Sequence, residues 1–514
     1  MHYFIGLDNG GTATKAAVFD RSGKEIGKAV MATAALTPAP GYVERDMEEM
    51  WAANCACVRK VLQDTGIDPA DVAGVGIAGH GKGLYLWGKD GRPVRHGIIS
   101  TDNRAWGYPE MWRKDGTEEK VFALSLQHIL PFQAVSLLAW IRDHEPENYR
   151  NIRWIFECKD YVRFRLTGEA KAEITDYSGA NLMNLRTRDY DPELLKLFGL
   201  TEMEPALPPL CRATELCGAV TEEAARDCGL MPGTPVIGGM FDINACAIAA
   251  GVTDSSRICM IAGTWSINEY PRSEPVTDGS VLMNSLFCLP EYYLIEESSP
   301  TSAGNNEWFV RELLPELRAE AEGRGESIYE VLNQWVDSIA ATEFVPLFLP
   351  FLMASNEHPN ARGCLIGLSL NHTRRHLARS VYEGIAFCHR RHLEKLLATR
   401  SREEPVSCIR LAGGAARSAV WAQMFADVMK LPVETVEANE TGALGCAIAT
   451  AVAVGEYPDL RTAVENMTAV SQRYEPDPGR SAVYDRKFAL YCRAIGCLDG
   501  LWDEMQELIE EGNR

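Results

Sequence analysis

No Cys-x-x-Cys pair occurs in this 514-residue chain despite its fifteen cysteines, which removes the usual sequence basis for a zinc ribbon or a dithiol redox centre. At this length fifteen is the density at which cysteine serves as a small apolar residue. Cys55 and Cys57 lie on one helical pattern and Cys246 on another, so reduced, packed thiols are expected. Long hydrophobic runs are also missing. The longest, near Val345 to Ala354, contains two prolines and is too short to span a bilayer. Since the chain opens Met1-His2-Tyr3-Phe4 straight into a strand pattern, a cytoplasmic protein with no membrane partner is expected. With 51 Lys and Arg against 71 Asp and Glu, a formal charge of −20, and no basic run, nucleic acid is disfavoured as a partner. A GxSxG elbow is absent, leaving a covalent serine route without support. His372 and His376, like the nearby His389 and His392, have no HExxH context, so packed or solvated histidines are expected. Low-complexity sequence is lacking.

A chain this long exceeds one core and predicts two or three domains, and 46% apolar with 24% charged residues fits a globular protein. Its most informative feature is a repeat. A strand ending in Leu7-Asp8-Asn9-Gly10-Gly11-Thr12-Ala13-Thr14-Lys15 opens the first half, and Ile261-Ala262-Gly263-Thr264-Trp265-Ser266 opens the second. Each reads as a hairpin whose tip exposes backbone N–H groups and hydroxyls, suited to phosphate oxygens. Two such tips suit one triphosphate gripped from both sides, with Asp8 holding the water shell of its magnesium ion. An Asp before Gly-Gly is also an ordinary turn former.

Strands at Tyr3 to Leu7 and Ala16 to Phe19 lead through Arg21-Ser22-Gly23-Lys24 to a third. Met47, Met50, Trp51, Cys55, Val58, Val61 and Leu62 recur at helical spacing and predict a helix over 47–65, which Asp46 would cap. A strand over Val72 to Ala78 follows. The small-residue helix after Asp242 ends near Gly251-Val252-Thr253-Asp254, giving domains 1–252 and 253–514. Further on, Trp308 to Leu317 reads as helix, Arg318 to Ser327 as a surface excursion, Ile409 to Leu411 as a strand feeding a helix from Ser418 to Met429, and Phe488 to Met505 as part of a long terminal helix.

Asp242 is the candidate general base. The strand Pro235-Val236-Ile237 runs through Gly238-Gly239 to a helix N-terminus, where the dipole keeps a carboxylate ionised and able to accept a hydroxyl proton; the two glycines would admit a substrate close to the backbone. A capping aspartate is the competing assignment. Gly413-Gly414-Ala415-Ala416-Arg417-Ser418 follows a strand and opens a helix, suiting a flat adenosine; a plain strand-to-helix turn fits these residues equally well. In Thr101-Asp102-Asn103-Arg104, Asp102 is suited to accept from two adjacent hydroxyls with Arg104 fixing it, against a surface ion pair. Two further patterns overlap at 74–83: Gly74, Gly76 and Gly79 spell a dinucleotide fingerprint, and Gly76 to Lys82 a P-loop until Gly83 replaces the required hydroxyl. Both fail because these glycines fall inside a strand.

The order of motifs resembles the FGGY carbohydrate kinases of the actin-like ATPase superfamily. The resemblance is carried by the two hairpins, Gly41 to Asp46, Lys159-Asp160-Tyr161 through Gly168, Gly238 to Asp242, Gly363 to Leu368 with His376 to Glu383, Ala412 to Ser418 and Glu440 to Gly445. It implies two ribonuclease-H-like α/β domains with magnesium and ATP in the cleft between them. Thr12 and Thr264 would bind β- and γ-phosphate oxygens with help from the N–H groups of Gly10, Gly11 and Gly263, with Thr14 and Lys15 completing the first motif. Gly413, Gly414 and Ser418 would lie nearest the nucleoside. Gly79-His80-Gly81-Lys82 matches the family's sugar loop, so Lys82 would donate to sugar hydroxyls and Gly81 leave room for one; a solvated loop lysine is the alternative. The usual Gln-Met-His of D-xylulose kinases is absent there, as are a threonine common at Gly11 and a lysine common at Leu137. Within the family the L-xylulose kinase branch is most similar, which favours a ketopentose, L-xylulose first, phosphorylated on a terminal hydroxyl. D-xylulose, L-ribulose, erythritol and ribitol are the other candidates, and the family's habit of forming homodimers carries over as an expectation.

An actin-like ATPase acting as a chaperone or assembly switch would use the same hairpins. Against it stand the polar groups at 79–82 and 102–104, suited to a hydroxylated ligand. A catalytically silent sugar-binding regulator is opposed by the intact Asp8, Thr12, Asp242 and Thr264.

Overall fold

Each half of the chain builds a sheet around one hairpin. The structure, a computed structural model, describes residues 2–401 and 403–512, which divide into two units. The first takes in the residues up to Thr253, with Pro271–Ile295 and Glu437–Ala469; the second takes in Asp254–Tyr270, Glu296–Val436 and the chain from Val470 onward. The change of unit at 253/254 falls beside the expected boundary at 252/253. Pro271–Ile295 and Glu437–Ala469, both expected in the second domain, group with the first unit; the small residues of the latter fit that unit's glycine-lined sheet face.

In the first unit Tyr3–Asn9 pairs antiparallel with Ala13–Phe19, which pairs with Glu25–Ala32; on its other side Tyr3–Asn9 runs parallel to Val72–Gly79. The sheet continues to Pro235–Ile237 and Leu216–Ala219. In the second unit Arg257–Ala262 pairs antiparallel with Ser266–Arg272 and parallel with Cys408–Gly413, followed by Val433–Val436 and Val470–Tyr474. The same arrangement thus recurs: a hairpin whose leading strand lies parallel to a later one.

The helix Met47–Thr65 forms as its spacing predicts. The Asp46 carboxylate accepts from the N–H groups of Glu48 and Glu49 at 2.8 and 3.1 Å, and Gly66 ends the helix at φ +65°. Its apolar face packs with Ile5 and Leu7 on one side of the sheet. Alternation along the strand turns Gly6 and Asp8 to the opposite side, where the helix Thr441–Ala453 lies almost on the backbone. A Cβ at Gly6 would stand 1.9 Å from the Ala443 carbonyl oxygen, and one at Gly76 would stand 2.7 Å from that of Cys446. The glycines that spelled a dinucleotide fingerprint lie in the strand Val72–Gly79, and Gly74 and Gly76 serve this helix contact.

Elsewhere Ala303–Leu313 and Pro315–Gly323 are separate helices, so 318–323 is helical where a surface excursion was expected. The helix Ala419–Met429 and the terminal helix Pro478–Gly512 lie where expected. His376 joins the N-terminal capping box of Arg374–Ala398, while His389 and His392 are buried against Ser302, Asn268 and Ser266. Among the described residues the cysteines form no disulfide. Among the described residues no helix is long and apolar enough to cross a membrane.

Gly6→Ala places a methyl against a helix backbone that cannot rotate away. An overpacking loss of about 1–3 kcal/mol, read as a lowered midpoint in urea unfolding, is the expected result; unchanged stability would deny the close helix contact.

Candidate active site

The first hairpin sorts its residues by face. Asp8 is paired with Lys15 and Asn9 with Thr14, so Asp8 and Lys15 share one face and Thr14 turns to the other. Thr14 is fully buried and its hydroxyl donates to Asn9 Oδ1 at 3.1 Å, where Asn54 Nδ2 also donates at 2.8 Å. It braces the hairpin and does not stand with Asp8. Lys15 Nζ lies 3.9 Å from Asp8 and 3.0 Å from Glu440, which also holds Lys28 at 2.8 Å. Lys15 is therefore shared between two carboxylates.

At the tip, the Gly10 N–H closes the turn on the Ala13 carbonyl at 3.1 Å, so it is not among the outward donors expected there. The N–H groups of Gly11 and Thr12 have no acceptor among the described residues, and both residues are exposed. What turns them outward is Arg45, 1% exposed, whose guanidinium donates to the carbonyls of Gly10, at 3.0 Å, and Gly11. In the sequence Arg45 stands only as one residue of the segment Gly41 to Asp46; its burial beneath the tip depends on the fold.

Asp242 is the first residue of the helix Asp242–Ala249, following Phe241 at the cap position, so it is not an N-cap. The dipole does not dominate its ionisation. Burial first, then the charges of Asp8 and Asp176, push its carboxyl well above the usual range, while Lys82 and the Ile243 N–H pull it back. Asp8 is likewise raised, chiefly by burial, with Lys15 opposing and Glu440 adding. The glycines before Asp242 have a different use from the one expected. A Cβ at Gly239, whose φ is +72°, would stand 2.1 Å from the Ile77 carbonyl oxygen, and one at Gly238 would stand 2.2 Å from that of Arg212. They seat this turn against protein backbone.

Lys82 is no solvated loop lysine: it is 9% exposed and its Nζ lies 5.0 Å from the Phe241 ring centre. Its backbone holds φ +62°, an uncommon value for a side-chain-bearing residue. At Gly81 a Cβ would meet the Phe241 ring at 2.5 Å and Asp176 Oδ1 at 2.8 Å, so its small size lets the loop close on both. Asp102 and Arg104 pair with each other. Asp102, 1% exposed, accepts from the Val43 N–H at 2.6 Å and from Arg104 Nε and Nη2 at 2.9 and 2.8 Å, and Arg104 lies over the Tyr42 ring. That carboxylate is enclosed by protein donors and ties the 101–104 loop to the strand end at Val43. Leu137 is fully buried.

In the second unit the tip residue Thr264 is exposed, while the Gly263 N–H bonds the Trp265 carbonyl at 3.3 Å. Gly413, at φ +82°, lies beside the end of the hairpin strand, where a Cβ would be 2.6 Å from the Ala262 carbonyl oxygen. Gly413 and Gly414 are exposed next to that tip. Ser418 is buried: its hydroxyl caps the helix at the Trp421 N–H, 3.1 Å, and donates to Asn333 Oδ1 at 2.7 Å. It shapes the turn from behind.

Each unit presents a hairpin tip with exposed hydroxyl and N–H groups, and the first adds a half-buried aspartate at a helix start and a lysine-bearing loop, the parts expected of a phosphotransferase. The FGGY family's N-terminal and C-terminal domain models match residues 3–249 and 258–454. The chain belongs to the FGGY family of carbohydrate kinases, enzymes that transfer phosphate to an alcohol group. It is 35% identical to an L-xylulose/3-keto-L-gulonate kinase of Escherichia coli, over 98% of this chain and 99% of that one. A probable L-xylulose kinase of Pasteurella multocida is also 35% identical, over 96% and 98%. Ligand-bound xylulose kinase from Lactobacillus acidophilus has the same ribonuclease-H-like fold, with a TM-score of 0.87 at 22% identity over 98% of this chain and 100% of that one.

Arg45→Ala removes charge-assisted bonds worth about 1.5–3 kcal/mol from beneath the tip. A KM for ATP raised about tenfold, with the sugar KM little changed, is expected in steady-state kinetics; an unchanged ATP KM would separate Arg45 from nucleotide binding.

Proposed function

We propose that this enzyme phosphorylates a terminal hydroxyl of a ketopentose, L-xylulose first among them, with MgATP as donor and Asp242 as general base. The observation that carries this reading is the place of Asp242: a half-buried carboxylate at a helix start, within the electrostatic reach of Asp8 and Lys82. The attacking oxygen forms its bond to the γ-phosphorus as the bond to the β-bridging oxygen breaks, and the hydroxyl proton passes to the Asp242 carboxylate. A carboxylate whose proton affinity is raised accepts that proton more readily than one at the ordinary value.

The residues at Asp8 fit magnesium. Its carboxylate is raised by burial, has Lys15 at 3.9 Å with Glu440 competing, and lies beside Asp242 in charge range. Asp8 would hold the ion through its water shell, and the ion would supply charge neutralisation for the phosphates. Thr12 with the N–H groups of Gly11 and Thr12, and Thr264 on the second hairpin, are the proposed phosphate contacts; Gly413 and Gly414 form the proposed adenosine ledge. Lys82 donates to the sugar.

The names of similar kinases support L-xylulose, and one of them also names 3-keto-L-gulonate, which carries a carboxylate. A coupled ADP-release assay over pentuloses, hexuloses, sugar acids and polyols tests the choice. One ketose raising turnover by orders of magnitude is expected; equal basal turnover with every sugar would overturn the kinase assignment.

Asp242→Asn should cut kcat by about 10²–10⁴-fold while sugar binding persists. Activity requires ionised Asp242, so kcat/KM should fall as pH drops through its carboxyl's pKa, and because that pKa is raised the acid limb should begin well above the ordinary aspartate value of 3.8. A limb centred at the ordinary value would remove Asp242 as the titrating base.

A further inference from the structure

Two buried carboxylates beside the sugar loop hold oxygens that nothing in the protein satisfies. Glu157, 1% exposed, accepts no hydrogen bond at either oxygen, and Asp176, also 1% exposed, accepts none at Oδ1. Such groups are costly when left without a donor. Both are brought to the loop by close packing. The start of the helix Cys158–Thr167 lies against Gly79, where a Cβ would be 3.0 Å from the Lys159 nitrogen, and Asp176 Oδ1 lies against Gly81. Lys82 and Asp176 act electrostatically on Glu157, and Lys82 and Asp176 both act on Asp242. The four groups therefore lie within electrostatic reach of one another, next to the packed 79–82 loop.

The neighbouring cations are divided among other carboxylates. Lys159 Nζ lies 3.2 Å from Asp160, 3.3 Å from Asp176 Oδ2 and 3.5 Å from Glu173, while Arg163 lies 2.8 Å from Asp160 and donates to the Gly238 carbonyl at 2.6 Å. Counting Asp160, Glu173, Glu157, Asp176 and Asp242 against Lys159, Arg163 and Lys82, acid exceeds base. A ligand that supplies hydroxyl donors satisfies the idle oxygens, whereas one that brings a further carboxylate adds repulsion in a water-poor site.

Resting on the kinase reading above, we infer that Glu157 and Asp176 are hydroxyl acceptors of the sugar pocket and make it select an uncharged polyhydroxylated ketose over a ketose bearing a carboxylate. With ATP saturating, L-xylulose and 3-keto-L-gulonate serve as neutral and carboxylated probes for wild type, Glu157→Gln and Asp176→Asn. Wild type should prefer the neutral ketose in kcat/KM. Each variant should raise its KM at least fivefold, leave the ATP KM within twofold and narrow the preference for it. Glu157 has no hydrogen bond in the protein to lose, so Glu157→Gln decides the matter if Asp176→Asn fails to fold. A wild type that turns over these probes but prefers the carboxylated one, or a Glu157→Gln enzyme with wild-type KM and preference, overturns the inference alone. A wild type that phosphorylates neither probe nor any other sugar overturns the kinase reading and this inference with it.

Discussion

The first unit depends on how closely the helix Thr441–Ala453 approaches the sheet. Helices normally stand off a sheet by the length of their side chains, but here Gly6, Gly74 and Gly76 on the strands remove that spacing. On the helix, Gly445 does the same toward the helix of Asp242, where a Cβ would be 2.2 Å from the Ala245 carbonyl oxygen, and Gly442 does so toward Asp8, where it would be 2.9 Å from the carboxylate. One helix thus fixes the depth of the strand that carries Asp8 and of the helix that carries Asp242. Its first turn also ends against Asp8, so its N-terminal partial charge offsets part of the cost of holding that carboxylate in a poorly hydrated place.

The internal repeat gives each unit one equivalent position to specialise. In the first, Asn9 at the end of the hairpin strand lies level with Gly79, after which the chain enters the Gly81-Lys82 loop; in the second, Ala262 lies level with Gly413, after which it enters Gly414. The loop after the parallel strand therefore always emerges beside a hairpin tip. One copy places a buried lysine with neighbouring carboxylates at this backbone position, and the other places bare, exposed glycines there. Fold duplication explains why the hairpin-and-loop geometry appears twice, and loop chemistry explains why the two copies differ.

Local signals carried much of this into the sequence. The helix over 47–65 and its Asp46 cap were legible because spacing and capping are decided within a few residues, and both hairpins were legible because small residues between apolar strands leave few other conformations. The side of the hairpin on which Thr14 falls was legible too, since a strand alternates faces and Lys15 pairs with Asp8; motif order obscured that parity. What could not be read were properties fixed by distant neighbours. Arg45 supports Gly10 and Gly11 from 35 and 34 residues away. Asp102 is closed off by the Val43 N–H from 59 residues away, and Asp242 takes its charge environment from Asp8, Asp176 and Lys82.

That last case shows which force wins at the site. A helix N-terminus contributes roughly half an elementary charge, worth about 0.3–1 kcal/mol when exposed, and it would hold Asp242 ionised if acting alone. Burial removes the water that stabilises the charge, and Asp8 and Asp176 add repulsion of the same sign, so their sum exceeds the dipole and the Lys82 charge together. The resulting high proton affinity would be a defect in a structural carboxylate, which could release the tension by turning to solvent. Asp242 stays half-buried at the helix start that follows the backbone-packed Gly238-Gly239 turn. Its ionisation therefore responds to the charge on Asp8 as well as to that on Lys82, and the two carboxylates are coupled through space.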